Sequence, residues 1–592
     1  MSSGASAPLP DAPSIARVLP DVTGLDKEFD YLIPEKLADR LAVGSIVRVS
    51  LHGRRVRGWV TAIDADTSIE RSRLQPILTW SSAGPSAELI DVARWASVRW
   101  AAGRLRPFLV TASPPRNVRS LPSSTYTNRR DDVAGAVAEH ARDLLRRGGG
   151  VLLVPPTASP IDAITTAAGT GPTLVVMPTV ARAETMAAAL ERRGLSVAIV
   201  PEQWSRSAAG VDVVIGARAA AWAPCPGMRA AVVIDEHDET LQEERSPTWH
   251  ARDVVIERAR RAGVPVIATS PCPSVAGVAA LGGRMARLPV NDERSGWPIV
   301  DVVDRSGEEP WKTSLLSSPL IRELRRPGSR VVCVHNTPGR GRILACRTCK
   351  SLLRCERCDA AVGLSDESTL RCARCGAERP PVCQECGASG FANLRPGVTR
   401  LREELEAAAG RPVVAVTGAD DEPPASADIY VGTEAVLHRV DRADVVAFLD
   451  FDRELLAPRY RAGEQAMSLL TKAARLLGPR QRGGRLLVHT YLPRHDVIQA
   501  ALLADPGRLL APERERRELF GMPPAMALAS VSGAGSGAVI DQVRAVDGVT
   551  VGGNIDDYLV RAETWEALGS ALINAQRPKG SRVRVAVDPP RV

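Results

Sequence analysis

The sequence predicts an α/β protein with two successive lobes on parallel sheets. A β-rich domain precedes them, a cysteine-rich insertion interrupts the second, and a small α+β domain follows. Three observations predict this arrangement. From residue 131 onward, short strands that are apolar throughout alternate with helical stretches, as in parallel sheets covered on both faces. Eight of the eleven cysteines fall within 346–386. Residues 12–80 carry the polar–apolar alternation of half-buried strands.

In the first domain, SIVRVSL (45–51) alternates, HGRR (52–55) reads as a turn, and VRGWVTAI (56–63) resumes as a strand. A helix is expected at about 86–103, and the Pro-, Ser-, Thr- and Arg-rich stretch 111–130 reads as a linker. Helix DVAGAVAEHARDLLRR then precedes strand VLLV (151–154). The pattern continues through TLVVMP (173–178), SVAIVP (196–201), VDVVIGA (211–217), AAVVID (230–235) and PVIATS (265–270). A second set is RVVCVHN (330–336), PVVAVTG (412–418), ADIYVG (427–432), DVVAFLDFD (444–452) and RLLVHTY (485–491). The expected boundaries are 1–110, a linker at 111–130, lobes at 131–310 and 311–500 with an insertion at 343–395, and a final domain at 501–592.

At 592 residues the chain exceeds a single core, given roughly 100–200 residues per domain. A hydrophobic share of 44% and a charged share of 24% are those of a soluble globular protein. No apolar run reaches the roughly 18 residues of a membrane span. The start, MSSGASAPLPDAPS, lacks a basic segment followed by an apolar one, so a cytoplasmic location is expected. The net charge of +8 leans toward a polyanionic partner such as nucleic acid. Only six of the 76 basic residues are lysines, and none lies between Lys36 and Lys312.

The cysteine block contains four C-x-x-C pairs: Cys346/Cys349, Cys355/Cys358, Cys372/Cys375 and Cys383/Cys386. Each pair can offer two thiolates to one ion, and two pairs complete a tetrahedral site without an open position. Two structural zinc ions are expected, with reduced structural cysteines or an iron–sulfur cluster as the alternatives. Spacing alone leaves three pairings open.

The stretches FDYLIP (29–34), GSIVRVSLHGRRVRGWV, VVIGARAAAWAP (213–224), VVIDEHDE (232–239) followed by WHARD (249–253), the cysteine block and ERRELFGMPP (515–524) carry a resemblance. In this order they resemble the replication restart (PriA, primosomal protein N-prime) family over nearly the whole chain. The resemblance implies a 3′-end DNA-binding domain, two RecA-like helicase lobes, a zinc insertion in the second lobe and a small C-terminal domain. The 111–130 linker leaves no room for the family's winged-helix domain. The resemblance further implies nested zinc pairing: Cys346, Cys349, Cys383 and Cys386 on one ion, and Cys355, Cys358, Cys372 and Cys375 on the other. It places Asp30 and Gly53 at the cradle of a 3′ end, where a family lysine is replaced by Gln75.

A working phosphate loop needs backbone N–H groups, a lysine and a hydroxyl directed at phosphate and Mg²⁺. After VLLV this chain reads Pro155-Pro156-Thr157-Ala158-Ser159-Pro160: three residues without an N–H, no glycine, and no lysine in the lobe. The glycine run 148–150 is expected to lie before the strand. Thr157, Ser159, Asp235 and Glu236 are therefore the remnants of a degenerate nucleotide site. No catalytic residue is assigned, and ATP with Mg²⁺ is not expected as a cofactor. KAARLLGPR (472–480) and EAVLHRVD (434–441) also depart from the family's later motifs.

The expected function is DNA binding in replication restart without ATP-driven unwinding. The partners would be forked or branched DNA with a 3′ end and the primosome and helicase-loading proteins, with no membrane. The alternatives are a 3′-to-5′ helicase with a non-standard nucleotide site and a zinc-dependent primosome scaffold.

Overall fold

The computed structural model describes residues 14–128, 133–306, 315–336, 344–349, 353, 355–356, 362–366, 369–372, 377–393, 398–416, 426–457, 459–554, 556–578 and 580–592. The chain forms two compact units. The first holds the described residues of 1–154, 159–288 and 510–592; the second holds those of 155–158 and 289–509.

The first unit begins with β1 (Ile15–Pro20), β2 (Phe29–Leu32), β3 (Ile46–Leu51), β4 (Arg54–Ile63) and β5 (Thr79–Ser82). They form an antiparallel sheet in the order β2-β1-β4-β3-β5. Strand alternation sends Val47, Val49 and Val60 into one core. It sends Ile46 and Trp59 into another, shared with the helices Ala87–Arg99 and Arg106–Ala112. Part of the expected linker is thus helix, up to Ala112. Of the remainder, residues 113–128 are described and held at two points: Ala83 N–H donates to Val118 O, and the Thr127 hydroxyl donates to Asp212, 2.8 Å away.

Next come β6 (Gly149–Leu153), β7 (Thr173–Val176), β8 (Val197–Val200), β9 (Val213–Gly216), β10 (Ala230–Ile234), β11 (Val266–Ser270) and β12 (Met285–Arg287). They form a fully parallel sheet in the order β12-β6-β11-β10-β7-β9-β8. The glycine run does not precede the strand as expected, because Gly149 and Gly150 are part of β6. A Cβ on Gly149 would meet Val266 O at 2.4 Å, and its φ is +98°. These glycines let neighbouring backbone approach.

The second unit carries β13 (Ile299–Asp304) and β14 (Val331–Val334). The cysteine-rich strands follow: β15 (Leu344–Cys346), β16 (Val362–Asp366), β17 (Thr369–Cys372), β18 (Glu378–Arg379) and β19 (Phe391–Asn393). The unit's sheet is completed by β20 (Val414–Val416), β21 (Ile429–Gly432), β22 (Val445–Phe448) and β23 (Arg485–Thr490), in the parallel order β13-β23-β22-β14-β21-β20. The expected boundary at 310 moves accordingly, since Ile299–Asp304 pairs with β23. The boundary at 500 also moves, to Leu509, because the helix Asp496–Leu503 stays with this unit.

Four strands end the chain: β24 (Ala527–Ser532), β25 (Val549–Asn554), β26 (Asp557–Ala562) and β27 (Arg584–Val587), ordered β25-β26-β24-β27 and antiparallel. They belong to the first unit. Among the described residues, no helix is long and apolar enough to cross a membrane.

Candidate functional site

In the N-terminal sheet, Asp30 on β2 lies opposite Arg17 on β1. The Arg17 Nε donates to its carboxylate at 2.8 Å, and the Asp30 side chain is only 10% exposed. Burial alone would raise this carboxyl. Hydrogen bonds from Arg17 and Thr67, with the charge of Arg17, outweigh it and hold the group below its ordinary range. The next residue, Tyr31, donates its hydroxyl to Ser50 O at 3.0 Å. Ser50 stands just before the turn His52-Gly53, where both residues have positive φ, +48° and +77°. A two-residue hairpin loop of that hand matches strand twist, and glycine occupies it without strain. Gln75 is exposed, and its carbonyl accepts the Leu32 N–H at 3.0 Å. Asp30 and the Gln75 segment are therefore close neighbours along β2, and Tyr31 links them to the strand that leads into the Gly53 turn.

At the C-terminal end of β10, where open α/β sheets hold their ligands, Asp235 and Glu236 are both buried, at 2% and 0% exposure. Asp235 adopts φ +53° and forms an ion pair with Arg182 from the first turn of the helix Val180–Arg192. Glu236 accepts from Arg252 Nη1 at 3.1 Å, from Ser274 N–H at 2.7 Å and from the Ser274 hydroxyl at 2.8 Å. A Cβ on Gly277 would fall 2.1 Å from Glu236 Oε2, so the carboxylate is enclosed on that side too. Arg252 also pairs with Asp253 at 2.9 Å, and Arg99 reaches Asp253 at 3.1 Å. Burial would raise the Asp253 carboxyl, but the two guanidiniums hold it well below the usual carboxylate range.

Sequence reasoning named the two acids and missed their cations. Arg252 stands inside the quoted WHARD stretch, so a signal for it was present. Arg182 is one arginine among many and carries no local mark.

The chain leaves β6 through Val154 into the proline-rich loop, whose residues 155–158 group with the second unit. There the Thr157 hydroxyl donates to Gly296 O at 2.8 Å, and Arg475 Nε donates to Pro156 O at 3.0 Å. Ser159 sits before the helix Ile161–Ala168 and accepts the Ile161 N–H at 3.4 Å. The hydroxyl of Thr157 and the carbonyl of Pro156 are thus bound to protein groups.

The thiols of Cys346, Cys349, Cys383 and Cys386 lie within 4.8 Å of one another. Four zinc-bound sulfurs at about 2.3 Å from the metal stand about 3.8 Å apart, so this quartet fits one tetrahedral ion. Cys346 pairs across to Cys386 at 3.5 Å and Cys349 to Cys383 at 3.6 Å, the grouping that nesting implies. Of the second expected set, Cys355 and Cys372 are buried, whereas Cys358 and Cys375 lie outside the described residues.

Residues 17–106 match the family described as 3'DNA-binding domain (3'BD), a span that contains Asp30, Gly53 and Gln75. The chain is also 27% identical to the "Probable replication restart protein PriA" of Mycobacterium leprae, over 90% of both chains. This chain is similar to replication restart protein PriA. The PriA proteins of Bacillus subtilis and Thermotoga maritima are 28% and 27% identical, across 58% and 66% of this chain. These alignments span only 46% and 58% of those two relatives. Among solved structures, Escherichia coli DEAH/RHA helicase HrpB gives a TM-score of 0.31 at 12% identity, covering 63% of this chain and 43% of that one.

Proposed function

We propose that this chain is a DNA-binding protein of replication restart that works without ATP-driven unwinding. It would recognise forked or branched DNA at a 3′ end in the cytoplasm and serve as a platform for primosome and helicase-loading proteins. Two structural zinc ions would hold the cysteine-rich insertion.

The supporting observation is the loop after β6. Three of its residues are prolines without an N–H, no lysine is available in the lobe, and Thr157 donates to Gly296 O. The acidic pair supports the same reading, because Asp235 and Glu236 face arginines of their own fold instead of an open Mg²⁺ position. The match over residues 17–106 supports DNA as the ligand of the N-terminal domain.

The test is calorimetric titration of the zinc-loaded full chain with ATP and Mg²⁺, beside anisotropy titrations with forks bearing a free or a blocked 3′-OH. The expected result is no nucleotide heat and tighter binding to the free 3′-OH fork. Saturable ATP binding with DNA-stimulated hydrolysis would favour the helicase alternative, and equal affinity for fork and plain duplex would remove fork recognition.

A further inference from the structure

Several arginines of the N-terminal domain have a partner of opposite sign, Arg17 with Asp30, Arg106 with Asp21 and Arg94 with Glu28 and Asp91. One hairpin departs from this. In the β3–β4 register Arg48 stands directly opposite Arg57, and Ser50 opposite Arg55. Cross-strand partners share a face, and so do residues two apart on one strand, so Arg48, Ser50, Arg55 and Arg57 form one surface. Among the described residues, no side-chain hydrogen bond or ion pair engages any of the three guanidiniums, and Arg57 Nε is buried without a partner. The nearest acid along the chain direction does not help. Asp21 donates its N–H to Arg57 O, but its carboxylate is held by Arg106 at 2.9 Å.

Like charges directly opposite each other weaken a hairpin. The same face shows that apolar residues are accommodated a short way along it. Ile46 and Trp59, which also pair across β3 and β4, are buried in the core against the neighbouring helices. The reverse face is apolar too, with Val49 and Val56 in the second core. Thus one surface of the hairpin changes from core to unpaired arginine as it approaches the His52-Gly53 turn. Two strand positions separate Arg57 from Arg55, about 7 Å at a rise of about 3.3 Å per residue. Arg48 and Arg57 stand side by side and Arg55 lies farther toward the turn, an array that suits successive phosphates of a polyanion better than one small anion.

We propose that Arg48, Arg55 and Arg57 form a track for the phosphates of a DNA strand whose 3′ terminus lies at the Gly53 turn. This rests on the reading of the N-terminal domain as a DNA-end binder, and it adds a division of labour. The arginines supply affinity through phosphates, which carry no information about the terminus, whereas Asp30 and the turn read the end. The arginine track contributes equally to a free and to a blocked 3′ end.

The test compares the full-length protein with its Arg48→Gln/Arg55→Gln/Arg57→Gln variant, using fluorescein-labelled forks with a recessed 3′-OH or 3′-phosphate over a range of salt. Circular dichroism melting confirms that the variant is folded. The expected result is an affinity loss of about tenfold or more and a log K against log salt slope shallower by about 2 to 3. The ratio of affinities for the two 3′ ends should not change. A folded triple variant with the parent's affinity and slope overturns the track and leaves DNA-end binding standing. A parent protein that binds neither fork overturns DNA-end binding and the track together. A changed ratio with an unchanged slope would assign the arginines to end recognition and also refute the proposal.

Discussion

The strand-end acids of the first parallel sheet and the arginines of the N-terminal hairpin treat charge in opposite ways. Asp235 and Glu236 are buried and matched by Arg182 and Arg252, so their charge is neutralised inside the fold. Arg48, Arg55 and Arg57 have no such match. The thiol quartet Cys346, Cys349, Cys383 and Cys386 resembles the hairpin in this respect, because four groups able to carry the same charge converge on one place. Compensated charge marks structure, and uncompensated charge of one sign marks a place for a ligand. A side chain cannot both close an ion pair and meet an incoming ion at full strength.

The largest effect is expected where the ligand supplies folding energy. Small zinc peptides gain about 10–16 kcal/mol from their metal. Cys346→Ser should lower bound zinc from two ions to one per chain and make the 343–395 segment a preferred site of limited proteolysis. Metal analysis that still finds two ions would break the likeness between thiol quartet and hairpin.

The compensated region should respond differently. Arg252→Ala leaves Glu236 buried without its cation and should cost about 3–5 kcal/mol in chemical denaturation. The double variant Arg252→Met/Glu236→Gln removes both charges, while Asp253 keeps Arg99 at 3.1 Å, and most of that loss should return. Equal losses in single and double variants would show that packing, and not charge pairing, holds this strand end.

Asp30 stands between the two cases, paired with Arg17 yet placed beside the expected 3′-end cradle. Asp30→Asn should reduce the preference for a free 3′-OH by about tenfold, the loss of one hydrogen bond to a charged acceptor. Its carboxyl titrates below the ordinary carboxylate range in the fold. The Arg17–Asp30 contribution to stability is therefore complete above the unfolded value near 3.9 and is lost as pH falls through the lower folded value. End preference should be flat between pH 5 and 8, and a titration with a midpoint in that window would contradict the pairing.

Much of this was legible in the sequence, and the exceptions have physical causes. Fully buried strands such as VVIG and AAVVI announce themselves because side chains on both faces are apolar. Ile299–Asp304 was missed because it is an edge strand, half-exposed along its length and free to carry Asp301 and Asp304. Cysteine spacing revealed the metal pairs, but which pairs join depends on how the intervening strands fold back. Arg182 meets Asp235 across 53 residues, a pairing that no local periodicity encodes. Cross-strand opposition of Arg48 and Arg57 was not legible, because a turn over 52–55 would set Arg48 opposite Trp59; Arg54 and Arg55 are strand, and the two-residue turn His52-Gly53 sets Arg48 opposite Arg57.

The smallest effect sharpens the comparison most. Arg48 faces Arg57 across the strands, whereas Arg55 faces Ser50. If Arg48 is kept for a ligand at the expense of the fold, replacing it should relieve repulsion, and threonine suits an exposed strand position. Arg48→Thr should therefore raise stability by a few tenths of a kcal/mol while weakening fork binding. Arg55→Thr removes a cation with no like-charged neighbour opposite, so it should weaken binding by a similar factor and leave melting unchanged apart from the small gain from strand propensity. The sign of the difference between the two melting shifts carries the argument. Were Arg55→Thr the more stabilising of the pair, or Arg48→Thr the more destabilising, Arg48 would belong with the compensated charges of the fold.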